Sequence, residues 1–486
     1  MSFKKKMRIV GNQTISQYAD NPYLSNKENN KKRIPLWAKI SIPSSLVAIG
    51  AVFAIVIANS LGTGNNSGFK QVNHPNKIFN SEHNELSPSY VQSVRDFAAD
   101  FFLACQRLDY DGYEEEKRDE EKGNILFSPL SLSNELYMFY DATSGETREE
   151  IKNALHYQDN FNHLEEIKKM VLNTSIDIKK ENGSECYSNI SNALFTIPDY
   201  LNDIKQEYLD ILTEYYFADV FEVNFNDDDS RKMIADYINS KTNNMFNVTP
   251  IPVDPNHGCK DGVCADDDTI DTSNFKLFDS TYLKATWSML SGEKFDFVNH
   301  DGTISKNISF FELYREGATI KESEDYYLIS MGSITYSFNI LLPKENCTDN
   351  AILTKSINKL LNFETTNSFR AHLRFHMPEF ENYRAEPSTM ALRKMGVQKL
   401  FGCDADYDNM FTKFSKEAHI DEIEHKAGIS VDSHGIEASA YTISGGIHEV
   451  SIEVLPQIEI IANHPFLYSI TNQDGLPLYV GQIYKL

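Results

Sequence analysis

Three stretches of this chain carry residue types that could do chemistry. Cys259 and Cys264, in Cys-Lys-Asp-Gly-Val-Cys, are near enough to close a small disulfide loop around Gly262. As half of a zinc site they lack a second Cys or His pair nearby, so a disulfide is the favoured reading and no metal is assigned. Asp266, Asp267 and Asp268 follow, without the alternating oxygen ligands, turn glycine and closing glutamate of a calcium loop, and read as a solvated charge run. The third stretch, Gly435 to Thr442, reads Gly-Ile-Glu-Ala-Ser-Ala-Tyr-Thr. Ile436, Ala438, Ala440 and Thr442 share one face at period two, and Glu437, Ser439 and Tyr441 the other, the alternation of a half-buried strand. Gly435 before it and Ser444-Gly445-Gly446 after it are punctuators rather than tight hairpin turns. The segment is competent to be a strand, and free to enter a sheet later.

The elements that must position such a segment make a large, mixed domain. Of 486 residues, 41% are hydrophobic and 24% charged, values of a globular protein. Apolar residues at Val91, Val94, Phe97, Ala98, Phe101, Phe102 and Cys105 have helical spacing. Pro129 suits the first turn of a helix running on from Leu130. Thr147–Leu155, Gln206–Tyr216 and 231–246 also read as helices, and 219–225 and 275–283 as strands. Residues 249–271 are rich in Pro, Gly and Asp and read as an acidic surface insertion. From Ile308 onward strands dominate, including 326–331, 334–342, 372–377, 450–454 and 458–461. Helices early and strands late indicate an α+β class.

The N-terminal region differs from the rest. Residues 1–40 hold nine Lys or Arg against two Asp or Glu, which leaves 37 against 68, a net charge of −31, for residues 41–486. So acidic a body repels nucleic acid, heparin-like polyanions and anionic membrane surfaces. Residues 40–58, Ile-Ser-Ile-Pro-Ser-Ser-Leu-Val-Ala-Ile-Gly-Ala-Val-Phe-Ala-Ile-Val-Ile-Ala, carry no charge and have about the length of a bilayer span. With all the basic residues on its N-terminal side, the positive-inside bias places residues 1–39 in the cytoplasm as a basic tail. The favoured reading is an uncleaved single-pass anchor with the body outside the cell or in a lumen; the alternative is a signal segment and secretion after cleavage. Residues 59–87, rich in Gly, Asn and Ser, read as a flexible linker.

From about Pro88 to Leu486 the chain resembles the serpins, on several ordered blocks. Asn124-Ile125-Leu126-Phe127-Ser128-Pro129-Leu130-Ser131 is similar to the family's entry into its central helix. Tyr282-Leu283-Lys284-Ala285-Thr286-Trp287 resembles a strand ending in Lys-Gly-X-Trp, and Met395-Gly396-Val397, His425-Lys426-Ala427, His464-Pro465-Phe466 and Gly481-Gln482 resemble later blocks. The resemblance implies one monomeric domain of three β-sheets with about eight or nine helices, and an exposed reactive-centre loop over about 433–456. It implies no cofactor. It also implies an irreversible inhibitor of serine, or cysteine, endopeptidases, forming a covalent complex with its target. The alternative is a non-inhibitory member acting as a binding or carrier protein.

The hinge of that loop maps onto Gly435, Ile436, Glu437, Ala438, Ser439, Ala440, Tyr441 and Thr442, with Tyr441 expected to face solvent. Counting forward from Gly435 puts the reactive bond at Glu449–Val450; counting back from Pro465 puts it near Ser451 to Val454. Ser128, Ser131 and His425 would meet in the shutter beneath the main sheet, and Trp287 would lie at the breach. Asp279 stands where the family usually has Asn. Ser, His and Asp together invite a hydrolase reading, but Ser128-Pro129 offers no nucleophile elbow, so a buried latch is favoured. An ionised Asp279 is expected to favour protonated His425 and make loop insertion pH-dependent.

Overall fold

The computed structural model describes residues 70–486 apart from 76–82, 107–123, 180–184, 246, 251–272, 287–289, 333–334, 345–349, 387, 421–422, 424, 434 and 437–454. The expected anchor 40–58, Trp287, Cys259, Cys264, Glu437 to Thr442, Glu449 and Val450 lie outside the described residues. Among those described, no helix is long and apolar enough to cross a membrane. Cys105, Cys186 and Cys403 are unpaired thiols.

The helices are α1 (Pro88–Gln106), α2 (Pro129–Ala142), α3 (Gly145–Ala154), α4 (His163–Thr174), α5 (Pro198–Leu201), α6 (Gln206–Glu214), α7 (Asp228–Lys241), α8 (Asn350–Lys355), α9 (Ile357–Leu361) and α10 (Ser388–Lys394). A six-stranded sheet runs β1 (Lys70–Asn73), β5 (Asp219–Glu222), β4 (Glu185–Thr196), β6 (Phe275–Thr286), β14 (Gly435–Ile436), with β3 (Ile176–Lys179) also on β4. A nine-stranded sheet runs β15 (Gln457–Ile461), β11 (Asn367–Pro378), β8 (Ile304–Glu322), β9 (Tyr326–Gly332), β10 (Ser337–Pro343), β16 (Phe466–Thr471), β17 (Pro477–Ile483), β2 (Ile125–Phe127), with β7 (Leu290–Val298) on β8. The third sheet is the pair β12 (Phe380–Glu386) and β13 (His425–Val431).

Local chemistry explains where the key elements begin. Ser128 caps α2: its hydroxyl accepts from the Ser131 N–H at 3.1 Å, and Pro129 fills the first helical position, where no N–H is needed. Every residue of α2 is buried, which makes it the spine of the core. Asp227 caps α7 through the Ser230 N–H at 2.8 Å, starting that helix three residues before the apolar pattern does. The ordered body also begins before Pro88. Lys70–Asn73, within the stretch read as linker, pairs antiparallel with β5. Its polar composition concealed an edge strand, whose stability comes from backbone pairing rather than from an apolar face.

Glu386, opposite His425 in the β12–β13 ladder, accepts the Leu126 N–H at 3.2 Å, yet burial pushes its carboxyl up to about 7. A raised carboxyl pKa penalises the folded state fully above pH 7 and not at all below the ordinary value near 4.5. Glu386→Gln keeps an acceptor for Leu126 without the charge. It should raise resistance to urea at pH 8 by an amount on the order of 2 kcal/mol and change nothing at pH 4; equal midpoints at pH 8 would contradict this account.

Candidate functional site

The site is a gap between two strands. One edge of β6 is fully engaged: it pairs antiparallel with β4 from Phe275↔Thr196 to Ala285↔Cys186. One edge of β13 is likewise taken by β12 along its whole length. The edges they turn toward one another carry no strand below Ala285 among the described residues. A cavity of about 140 Å³ fills this gap. Ser128, Ser131 and Glu135 of α2, residues 277–281 of β6, residues 425–428 of β13, and Ile238 and Thr242 at the end of α7 line it.

Strand alternation assigns the two faces. Asp279 points inward, where its two oxygens accept from Ser131 Oγ and, at 2.5 Å, from Asn134 Nδ2, both on α2. Phe278 points outward and packs edge-on against Tyr237 of α7. So α2 floors the slot and α7 lies across its outer face. Ser280 Oγ and Thr281 Oγ1 are buried at the slot wall with no hydrogen-bond partner among the described residues, which carries a desolvation cost.

At the open end the chain turns back after Val431. Gly435 and Ile436 form β14, antiparallel to β6, with Gly435 opposite Thr286 and Ile436 opposite Ala285. β14 therefore runs opposite to β6 at the mouth of the slot, beside β13. Ala285, opposite Ile436 in this register, is buried. Downstream, the chain is held again from Pro456, whose carbonyl accepts the His372 N–H at 2.9 Å, and β15 then pairs parallel with β11.

Ser128, Ser131, Asp279 and His425 are together, but they do not form a proton relay. His425 Nε2 accepts the backbone N–H of Ser128 at 3.0 Å, so that nitrogen is unprotonated. Burial lowers the imidazole to about 4. Asp279 is engaged by Ser131 and Asn134, not by His425. The expected pH switch through an Asp279–His425 ion pair is therefore corrected: desolvation outweighs any attraction, and the histidine is neutral at physiological pH. Neither hydroxyl is hydrogen-bonded to His425: the Ser128 oxygen accepts the Ser131 N–H as a helix cap, and the Ser131 hydroxyl donates to Asp279. Sequence reasoning missed Glu135: its position four residues after Ser131 puts the two on one helix face, but residue order does not show that the helix is buried on all sides.

The serpin family model, described as serine protease inhibitor, matches residues 103–258 and 264–486. An uncharacterised serpin-like protein of Methanosarcina acetivorans is 26% identical over 81% of this chain and 87% of its own. A leukocyte elastase inhibitor of Xenopus tropicalis is 24% identical over 76% of this chain and 94% of its own. The native structure of Tengpin, a thermophilic serpin, superposes with a TM-score of 0.64 at 21% identity, covering 86% of this chain and all of that one. A family model spanning more than half of the sequence, on a fold with an unfilled main sheet, establishes that this chain belongs to the serpins.

Proposed function

We propose that this serpin is an irreversible suicide inhibitor of serine endopeptidases, with cysteine endopeptidases the second class to test, and that its trap is the slot between β6 and β13. The observation that carries the reading is β14: the hinge has already turned into the mouth of an unfilled strand position. After the protease acylates itself on the loop, the freed N-terminal half would continue down the slot. The enzyme, still esterified through its nucleophile, would be dragged along and its deacylation stalled, with the metastable intact fold supplying the free energy.

The register at β14 extends to the rest of the hinge. If Ile436 stays opposite Ala285, Ala438 would meet Leu283, Ala440 Thr281 and Thr442 Asp279, all on the α2 face. These side chains are uncharged, as burial without partners requires. Tyr441 would meet Ser280 on the outer face, on the side where α7 packs against Phe278. Its ring would have to pass beneath Ile238 and Thr242.

The reactive bond is assigned to Glu449–Val450, implying a target whose pocket accepts an acidic side chain. The tether at Pro456 supports this choice over Val454–Leu455, which would lie against the strand held by His372. Residues 40–58 are proposed to anchor the domain, which would act outside the membrane as a monomer. Full-length protein should then stay with membranes through alkaline carbonate extraction; complete release would remove the anchor.

Incubation with a protease panel should give an SDS-resistant complex and a released peptide beginning at Val450. Ala438→Arg should abolish the complex while leaving the loop cleavable, and Tyr441→Ala should lower the number of inhibitor molecules consumed per protease several-fold. A loop cut by every protease with no complex, in the unaltered chain, would instead favour the carrier reading.

A further inference from the structure

The six-stranded sheet ends in a strand with little to bury. β1 pairs antiparallel with β5, Lys70 opposite Glu222 and Gln71 opposite Phe221, and the register then shifts so that Asn73 meets Val220. Its four residues, Lys-Gln-Val-Asn, include one aliphatic side chain, and that one, Val72, is 46% exposed. So short and polar an edge strand has only weak support from backbone pairing.

It is held instead at one carboxylate. The Asp219 side chain, at the start of β5, is only 6% exposed, and its two oxygens serve two different elements. Oδ2 accepts from the Tyr237 hydroxyl of α7 at 2.8 Å and lies 3.5 Å from Lys241 Nζ of the same helix. Oδ1 accepts from Gln71 Nε2 at 3.3 Å and is paired with His74 Nδ1, just past the end of β1. Lys70 adds a looser pair with Glu222 at 3.9 Å. This division lets β1 leave alone: Asp219 would keep its tyrosine and its lysine, so no buried charge would be orphaned and the sheet beneath would stay folded.

His74 is the group here that titrates near neutrality. Around it, among the described residues, stand Asp219 from β5 and Lys241 and Tyr237 from α7. Tyr237 stays neutral, because burial first and Asp219 second push its hydroxyl well above the usual range. The hydrogen bond to Asp219 raises the His74 imidazole above its ordinary value, against burial and the Lys241 charge. Burial works against the Asp219 carboxylate, yet the His74 bond and Lys241 together hold it below the usual range.

We propose that β1 is a strap clasped to the edge of the six-stranded sheet by His74 and Asp219, closed in mild acid and released in alkali. Closed, the N-terminal part of the chain leaves the body beside β5 and covers that strand's outer edge. Released, its next hold among the described residues is His83, whose Nε2 lies 2.9 Å from Asp474, and β5 becomes the open edge. The sign follows from linkage. A histidine whose pKa is higher attached than free contributes fully below its free value of 6.5, and the contribution is lost as pH rises through the attached value. Asp219, held below 3.8, sets the acid limit, where its carboxylate takes a proton and the clasp is lost again.

The test is amide hydrogen exchange of the detergent-solubilised full chain at about pH 5.5 and about pH 8.5, with labelling times scaled to equal intrinsic exchange. In the unaltered protein, protection of Lys70–Asn73 should fall several-fold at the higher pH, about tenfold for each unit by which attachment raises the His74 pKa. The amides that bond β4 to β6 should stay protected throughout. In His74→Asn, which can still bond to Asp219 but cannot titrate, β1 should be less protected in acid and equally protected at both values. Asp219→Asn should likewise remove the pH dependence. Equal protection of β1 at both values in the unaltered protein, or an undiminished fall in either variant, would overturn the clasp. So would a fall that spreads to β4, since the titration would then belong to the body of the sheet.

Discussion

The absence, among the described residues, of a strand between β6 and β13 below Ala285 is the constraint from which the rest follows. Backbone N–H and C=O groups in a protein interior are nearly always paired, and each new backbone hydrogen bond contributes about 1 kcal/mol net. Here β6 and β13, which belong to separate sheets, are parted by a cavity of about 140 Å³, with the Ser280 and Thr281 hydroxyls at its wall finding no partner among the described residues. A segment that enters forms backbone bonds on both sides and fills a void at once. On the mechanism proposed above, the intact arrangement would hold free energy in reserve, to be released only by cutting the chain between β14 and Pro456.

Such an opening persists only if its floor and cover are rigid. α2 supplies the floor: it is wholly buried, capped by Ser128, and tied across to β6 by Ser131 and Asn134 through Asp279. Asn134 also donates to Asn192 on β4 at 2.9 Å, so the bonds run beneath three neighbouring elements. On the other side, His425 grips the start of α2 through the Ser128 N–H. These contacts hold β6 and β13 in place from below without bridging them in the sheet plane. α7 closes the top through Phe278 and Tyr237, and on the proposed mechanism it would have to yield to an entering strand.

Much of this was readable from residue order, because it is local. The spacing of apolar residues located α1 and Ser128-Pro129 marked the start of α2, while of the strand read from Gly435 to Thr442 the structure describes only Gly435–Ile436. The sequence blocks around Ser128, Trp287 and His425 carried the three-sheet architecture. What could not be read depends on contacts between distant segments. The neutral state of His425 follows from which nitrogen meets the Ser128 amide, and Asp279 turns to Ser131 and Asn134 instead. The face on which Tyr441 would lie depends on α7 crossing β6. Glu135 looks like one polar residue in an ordinary helix until that helix proves buried on all sides, and Lys70–Asn73 looks like linker until it pairs with β5.

Amide hydrogen exchange of β6 and β13, compared before and after the loop is cut, tests the central claim most directly. In intact protein, amides aimed into the slot should exchange quickly while those bonded to β4 and β12 stay protected; after cleavage both sets should be protected, together with the segment from Glu437 onward. Slot-facing amides that are already protected in the intact chain, or that remain unprotected in the cleaved one, would contradict the account.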